Sequence, residues 1–295
     1  MRKVFALIVI ALSMLMVGCG GGKGTDGKLR IVTSFYPIYL DTINLAKGIN
    51  DVEVVNLTKP QVGCLHDYQL TTEDMKTLET ADIFVVNGFG MEAFLDKVID
   101  NQPSMKVIDL SNVEDITPIV ENGEINPHVW LSVTYNKRQV IELSNRLSEL
   151  DPDHAMYYRK NALDYVTRLD ALREEMHNAL DFLPHKDIVT FHEAFPYFAK
   201  EFDLNIVAVV EREPGTKPTP KELEAIIEKL NGIETKVIFT EPQYSSKAAE
   251  TIARETGAKI YQLDPIVTGE STPEHADDYI MRMAENMSVL QNALR

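Results

Sequence analysis

Three histidines and one aspartate occupy positions from which a divalent metal ion could be held. His192 directly follows the β-branched run Asp187 to Phe191, and Asp264 directly follows Lys259 to Leu263. His66 lies in the loop after Val52 to Leu57, and His128 lies in the loop after Lys106 to Leu110. If these runs are parallel strands, all four side chains stand beyond carboxyl ends, where open α/β sheets bind their ligands. Three imidazoles and a carboxylate satisfy a tetrahedral zinc-like ion. Singly, each histidine is also what a loop uses for hydrogen bonding, so the set carries the inference rather than any one member.

Two further residues bear on that set. Cys64 precedes His66 by two positions and is either a thiolate ligand or a small buried hydrophobe. Glu241 follows the run Lys236 to Thr240 and either ligates the ion or orients His192 through its second ring nitrogen, the preferred role. The pair His192-Glu193 superficially suggests a secreted zinc hydrolase. However, Pro196 stands where the His-Glu-x-x-His pattern needs its second histidine, and four protein ligands would leave no open position for water. Catalysis is therefore not expected. His154, His177, His185 and His275 fall on expected helices or their ends and read as surface or capping residues.

The elements that must position these residues alternate regularly. Strands are expected at 29–33, 52–57, 82–86 and 106–110, with helices near 37–48, 71–80, 90–101 and 135–149. The scheme repeats with strands at 187–191, 205–210, 236–240 and 259–263, and helices near 193–202, 219–231, 245–256 and 274–293. Continuous apolar strands separated by helices indicate parallel sheets covered on both faces. The expected fold is α/β, with two Rossmann-like lobes over residues 29–150 and 185–295 and a metal site in the cleft between them. Residues 151–184 join the lobes. There Asp151-Pro152-Asp153 offers an N-cap and a first-turn proline, and no Gly or Pro follows until Pro184. One long helix results, with Leu163, Val166, Leu169, Leu172, Met176 and Leu180 forming an apolar stripe that can lie along both lobes. A single rigid helix as connector restricts hinge motion.

Composition sets the compartment and excludes some partners. Arg2 and Lys3 precede an apolar run from Val4, a secretory signal too short for a comfortable membrane span. It ends at Met16-Val17-Gly18-Cys19, which resembles a bacterial lipobox: residues 1–18 would be removed, Cys19 lipidated, and the glycine-rich stretch to residue 28 would serve as a flexible tether. The alternative is a plain signal peptide with an incidental cysteine. The formal net charge of −16 makes nucleic acid an unsuitable partner. With only two cysteines and Cys19 consumed by the anchor, no intrachain disulfide is expected. The acidic stretch from Asp109 to Glu124 contains no histidine and reads as a solvated loop.

Several motifs resemble the zinc- and manganese-specific receptor lipoproteins of bacterial ABC importers, the group that includes high-affinity zinc-uptake receptors and streptococcal adhesins. Asn126-Pro127-His128-Val129-Trp130-Leu131-Ser132 is the most specific. Val62-Gly63-Cys64-Leu65-His66-Asp67-Tyr68 is similar to the segment giving the first histidine, and Phe191-His192-Glu193-Ala194-Phe195-Pro196-Tyr197-Phe198 to the third. Thr240-Glu241-Pro242-Gln243-Tyr244 and Leu263-Asp264-Pro265 resemble two further motifs, the second carrying the acidic ligand or near-ligand. The resemblance implies a monomeric, membrane-anchored receptor that delivers metal to an ABC permease. Manganese-type members often carry a carboxylate in place of His192, and three imidazoles favour zinc over the harder manganese. Manganese remains the alternative ion, and adhesion the alternative role. No large apolar face or adhesive repeat in the sequence points to adhesion.

Overall fold

Short β-branched runs form the strands that the pattern predicts, and they assemble as two parallel sheets. The computed structural model describes residues 27–59, 63, 65, 68–95, 105–121, 123–211 and 218–295. The signal, Cys19, Cys64 and His66 lie outside the described residues. In the first lobe β1 (Leu29–Thr33), β2 (Val52–Asn56), β3 (Ile83–Val86) and β4 (Lys106–Asp109) lie in the order β2-β1-β3-β4. A two-stranded antiparallel hairpin, β5 (Val120–Glu121) and β6 (Glu124–Ile125), follows. The second sheet contains β7 (Asp187–Thr190), β8 (Asn205–Val209), β9 (Val237–Thr240) and β10 (Lys259–Gln262), in the order β10-β9-β7-β8. In each lobe the first strand is flanked by the second and third, and the fourth lies beyond the third. All pairings within the two sheets are parallel, so the carboxyl ends of each sheet share one edge.

Local chemistry starts and stops the helices. In the first lobe these are α1 (Tyr36–Leu45) and α2 (Thr72–Glu79), followed by α3 (Val133–Leu150) and α4 (Ala155–Leu180). The second lobe has α5 (Pro196–Glu201), α6 (Pro220–Asn231), α7 (Lys247–Thr256) and α8 (Asp278–Ala293). Thr71 with Asp74, and Thr219 with Glu222, form reciprocal capping boxes that satisfy the first amides of α2 and α6. Proline begins α5 and α6, where its missing N–H costs nothing. Among the described residues no helix is long and apolar enough to cross a membrane.

Several boundaries depart from the sequence reading. Residues Pro152–His154 form a 3-10 turn, so the long helix starts at Ala155. Asp151, expected to cap it, accepts instead from the Tyr158 hydroxyl at 2.8 Å and meets His154 Nδ1 at 2.7 Å. The buried face of α4 is Tyr158, Ala162, Tyr165, Leu169, Leu172, Met176 and Leu180. Leu163, placed on the apolar stripe from spacing alone, is 67% exposed. The helix expected near 90–101 shows only a 3-10 turn at Ala93–Leu95 before residues that are not described. The acidic stretch is not simply a loop: it closes as the β5–β6 hairpin through Gly123 at φ 91°.

α4 touches both lobes. Asn161 Nδ2 donates to the carbonyls of Leu45 and Lys47 at 2.8 Å, while Arg168 meets Asp277 at 2.6 Å and Arg173 meets Glu201 at 3.2 Å. The chain's last helix also crosses to the first lobe. Tyr36 on α1 donates to Asp278 at 2.7 Å, and Asn44 donates to the Ala276 carbonyl at 2.7 Å. One apolar core results, drawing Ile38, Leu143, Leu169 and Met283 from α1, α3, α4 and α8. Smaller clusters cover the outer faces of the two sheets. Each buried aliphatic side chain contributes about 1.5–3 kcal/mol of transfer free energy, and their continuity across the lobes resists separation.

Candidate metal site

Strand register explains the first half of the site. Thr190 on β7 pairs with Phe239 on β9, so residues two positions further, His192 and Glu241, emerge side by side from the carboxyl edge. Both are buried, and His192 Nδ1 lies 3.0 Å and 3.1 Å from the two Glu241 oxygens. An ionised carboxylate only accepts hydrogen bonds. Against an ionised Glu241, Nδ1 is the donor, which would direct Nε2 towards a metal.

His128 is fixed by the same logic from a neutral partner. The Asn126 amide nitrogen donates to Glu121 Oε2 and to the Glu193 carbonyl, both at 2.8 Å, which assigns its oxygen as the acceptor. That oxygen takes the His128 backbone N–H at 3.0 Å and lies 3.0 Å from His128 Nδ1. Here too the partner calls for Nδ1 as the donor, which would leave the metal role to Nε2. Tyr197 locks the segment by donating to the Asn126 carbonyl at 2.8 Å and accepting from Ile119 N–H at 2.9 Å. Asn126 thus joins the hairpin, the second lobe and His128.

The two rings meet nearly at right angles, with centroids 5.1 Å apart and an interplanar angle of 77°. Two imidazoles that share one tetrahedral ion through bonds of about 2.0–2.1 Å place their centroids about 5 Å apart. The pair is spaced as ligands of a common ion would be.

Support behind His128 comes from the first lobe's own carboxyl edge. Asn87, just past β3, donates to the Pro127 carbonyl at 2.9 Å. Glu92 fixes that edge by accepting from Ser34 Oγ at 2.7 Å, Asn87 N–H at 2.8 Å and Gly88 N–H at 3.0 Å. Burial pushes the Glu92 carboxyl up to about 7, against the opposing pull of these three donors.

Asp264 is placed differently from the two histidines. Its Oδ2 accepts from Arg282 Nη1 at 3.2 Å, and its Oδ1 accepts from Ile266 N–H at 2.8 Å and Gln243 Nε2 at 3.4 Å. Burial disfavours the Arg282 charge, but the flanking Asp264 and Asp278 carboxylates hold its pKa above the ordinary value. Among the described residues no three His, Cys, Asp or Glu side chains are arranged to hold an ion by themselves. Gly63 lies so close to Tyr244 that an added Cβ would fall 2.8 Å from the hydroxyl, and Tyr244 packs edge-on to His192 at 5.8 Å. Leu65 is buried in the main core. Gly63 therefore lies against the ring that packs on His192.

The remaining histidines sit elsewhere, each beside a carboxylate. His154 contacts Asp51 and Asp151, His177 contacts Asp181, His185 lies 3.9 Å from Glu234, and His275 lies 3.2 Å from Asp278. Sequence reasoning overlooked Asn126, Glu92 and Arg282. For Asn126 a signal was present, since a side-chain amide two residues before a histidine can reach that residue's own backbone N–H.

Comparison with known proteins places this geometry. Residues 31–293 match the family described as the periplasmic zinc-uptake complex component A. The chain belongs to the zinc-uptake component A family. A high-affinity zinc uptake system protein, ZnuA of Bacillus subtilis, is 30% identical over 99% of this chain and 98% of its own length. The zinc-binding lipoprotein AdcA of Streptococcus pneumoniae is 29% identical over 99% of this chain, which spans only 61% of that relative. Among solved structures, the protein FpvC of Pseudomonas aeruginosa, determined in complex with Ni2+ and with Mn2+, is 33% identical with a TM-score of 0.80. In the Ni2+ complex the match covers 90% of this chain and 97% of that one. Proteins similar to this chain thus include zinc-named ones and one crystallised with other divalent ions.

Proposed function

We propose that this chain is an extracytoplasmic receptor that captures one divalent transition-metal ion, zinc by preference, and delivers it to an ABC permease. The observation that carries this reading is the His128–His192 pair. Two buried imidazoles from different lobes stand at the mutual spacing of shared ligands. In this reading His66 supplies the third nitrogen, and the fourth position falls to Asp264 or to a water that replaces it. Glu241 orients His192 rather than binding the ion, and Cys64 remains a packing residue. Three nitrogen ligands suit zinc better than manganese, which favours oxygen. The receptor works as a monomer tethered through lipidated Cys19, and it binds and releases without chemistry.

Metal analysis after chelation and reloading tests the reading. One zinc ion per chain is the expected result. Two or more tightly held ions, or none, would overturn it.

A further inference from the structure

Arg282 on α8 already holds the carboxylate that the fourth position would use. Its Nη1 donates to Asp264 Oδ2 at 3.2 Å and to the Thr268 carbonyl at 2.6 Å, and its Nη2 donates to Asp278 Oδ2 at 2.8 Å. The guanidinium also lies 5.4 Å from the centroid of Tyr36, so it is braced by the first lobe. The other Asp264 oxygen secures the turn at Ile266, whose φ of 63° is rare for a β-branched residue. Withdrawing Oδ1 would release that strained turn. Oδ2 is thus the oxygen a metal can take, and taking it means displacing Arg282.

We propose that Arg282 sets the metal preference of the cleft by competing with the bound ion for Asp264. The proposal rests on the cleft being a metal site. Zinc is well served by three imidazoles and accepts water as its fourth ligand, so it can leave the Arg282–Asp264 pair intact. A hard ion such as manganese gains most of its affinity from oxygen ligands. It must either forgo the carboxylate or separate a half-buried ion pair and leave the guanidinium, still held by Asp278 and Thr268, facing a second positive charge. The cost falls on the hard ion, and Arg282 discriminates without touching the metal.

The test is to measure Zn2+ and Mn2+ dissociation constants by chelator competition in four proteins: wild type, Arg282→Gln, Asp264→Ala and the double variant. Arg282→Gln should tighten Mn2+ by about tenfold more than Zn2+, and the double variant should lose that selective gain. Equal tightening of both ions would reflect only the removal of a positive charge and would overturn the proposal. So would a selective manganese gain that survives without Asp264. If Arg282→Gln does not fold, the ratio is read in Arg282→Met, which keeps an apolar stem but cannot pair with Asp264. There a shift towards manganese supports the proposal, and a wild-type ratio overturns it. A wild type that binds no zinc would overturn the cleft reading itself, whereas a zinc-binding wild type with an unmoved ratio overturns only the role of Arg282.

Discussion

The indole Nε1 of Trp130 donates to the Pro265 carbonyl at 2.9 Å, joining the segment that carries His128 to the one that carries Asp264. Trp130 is fully buried, with Phe35 edge-on at 5.0 Å. Trp130→Phe should keep most of the apolar contact but strand a buried carbonyl, a cost of about 1–3 kcal/mol. Thermal melts of metal-free protein measure it. Zinc affinity should also fall, because two ligand-bearing loops lose their shared bond. Unchanged stability would show that water replaces the indole without cost.

His128→Ala and His192→Ala each remove one imidazole from opposite lobes. Zinc affinity should drop by more than about 100-fold in either variant, beyond the range for residues that act behind a ligand. The melting temperature without metal should stay near that of the wild type. His66→Ala should behave alike, and isothermal titration of the three variants decides whether the ligand set is right. Wild-type affinity in His128→Ala would remove its basis.

Glu241→Gln tests orientation rather than ligation. The amide can still accept from His192 Nδ1 but no longer supports it with a negative charge, so zinc should bind about 10–100-fold more weakly. The stoichiometry should remain one. Loss as severe as in His192→Ala would indicate that Glu241 binds the ion directly.

Glu92 gives a pH signature. Its carboxyl is raised from 4.5 to about 7 by burial, so the folded protein retains a proton that the unfolded chain has released. The associated stability is fully present below pH 4.5 and is lost as pH rises through about 7, amounting to about 3 kcal/mol. Glu92→Gln presents an amide donor towards Gly88 N–H and is destabilised by a constant amount, yet it should lack this decline. Denaturant melts of metal-free protein between pH 5 and pH 8 should show wild type losing stability relative to the variant. Parallel profiles would contradict the assignment.

Because α4 bonds to both lobes and one core runs through them, zinc loading should rearrange loops rather than close a hinge. Small-angle scattering profiles of metal-free and zinc-loaded protein should nearly superimpose. A large contraction on loading would show that the connector bends.

What the sequence conveyed depended on whether the cause was local. Strands such as Ile83–Val86 are buried on both sides and read directly as apolar runs. His192 and Glu241 were visible as residues past strand ends, but their contact follows from β7 lying beside β9, a matter of strand order. Leu163 was misread because an apolar stripe of this spacing has two possible registers, and Tyr158 and Tyr165 settle it by burying their rings. The β5–β6 hairpin is too short for alternation to show. Arg282 was invisible, since its partner Asp264 lies 18 positions away and across a turn. The chain-order division into lobes also concealed the return of α8 to the first lobe.

That return governs how the protein reaches its native state. Tyr36 and Asp278, 242 positions apart, meet in a buried hydrogen bond, and Gly269 admits the Tyr36 ring where any side chain would collide with it. The bond that Tyr36 makes therefore cannot form until nearly the last helix has been synthesised. Such long-range closure slows folding.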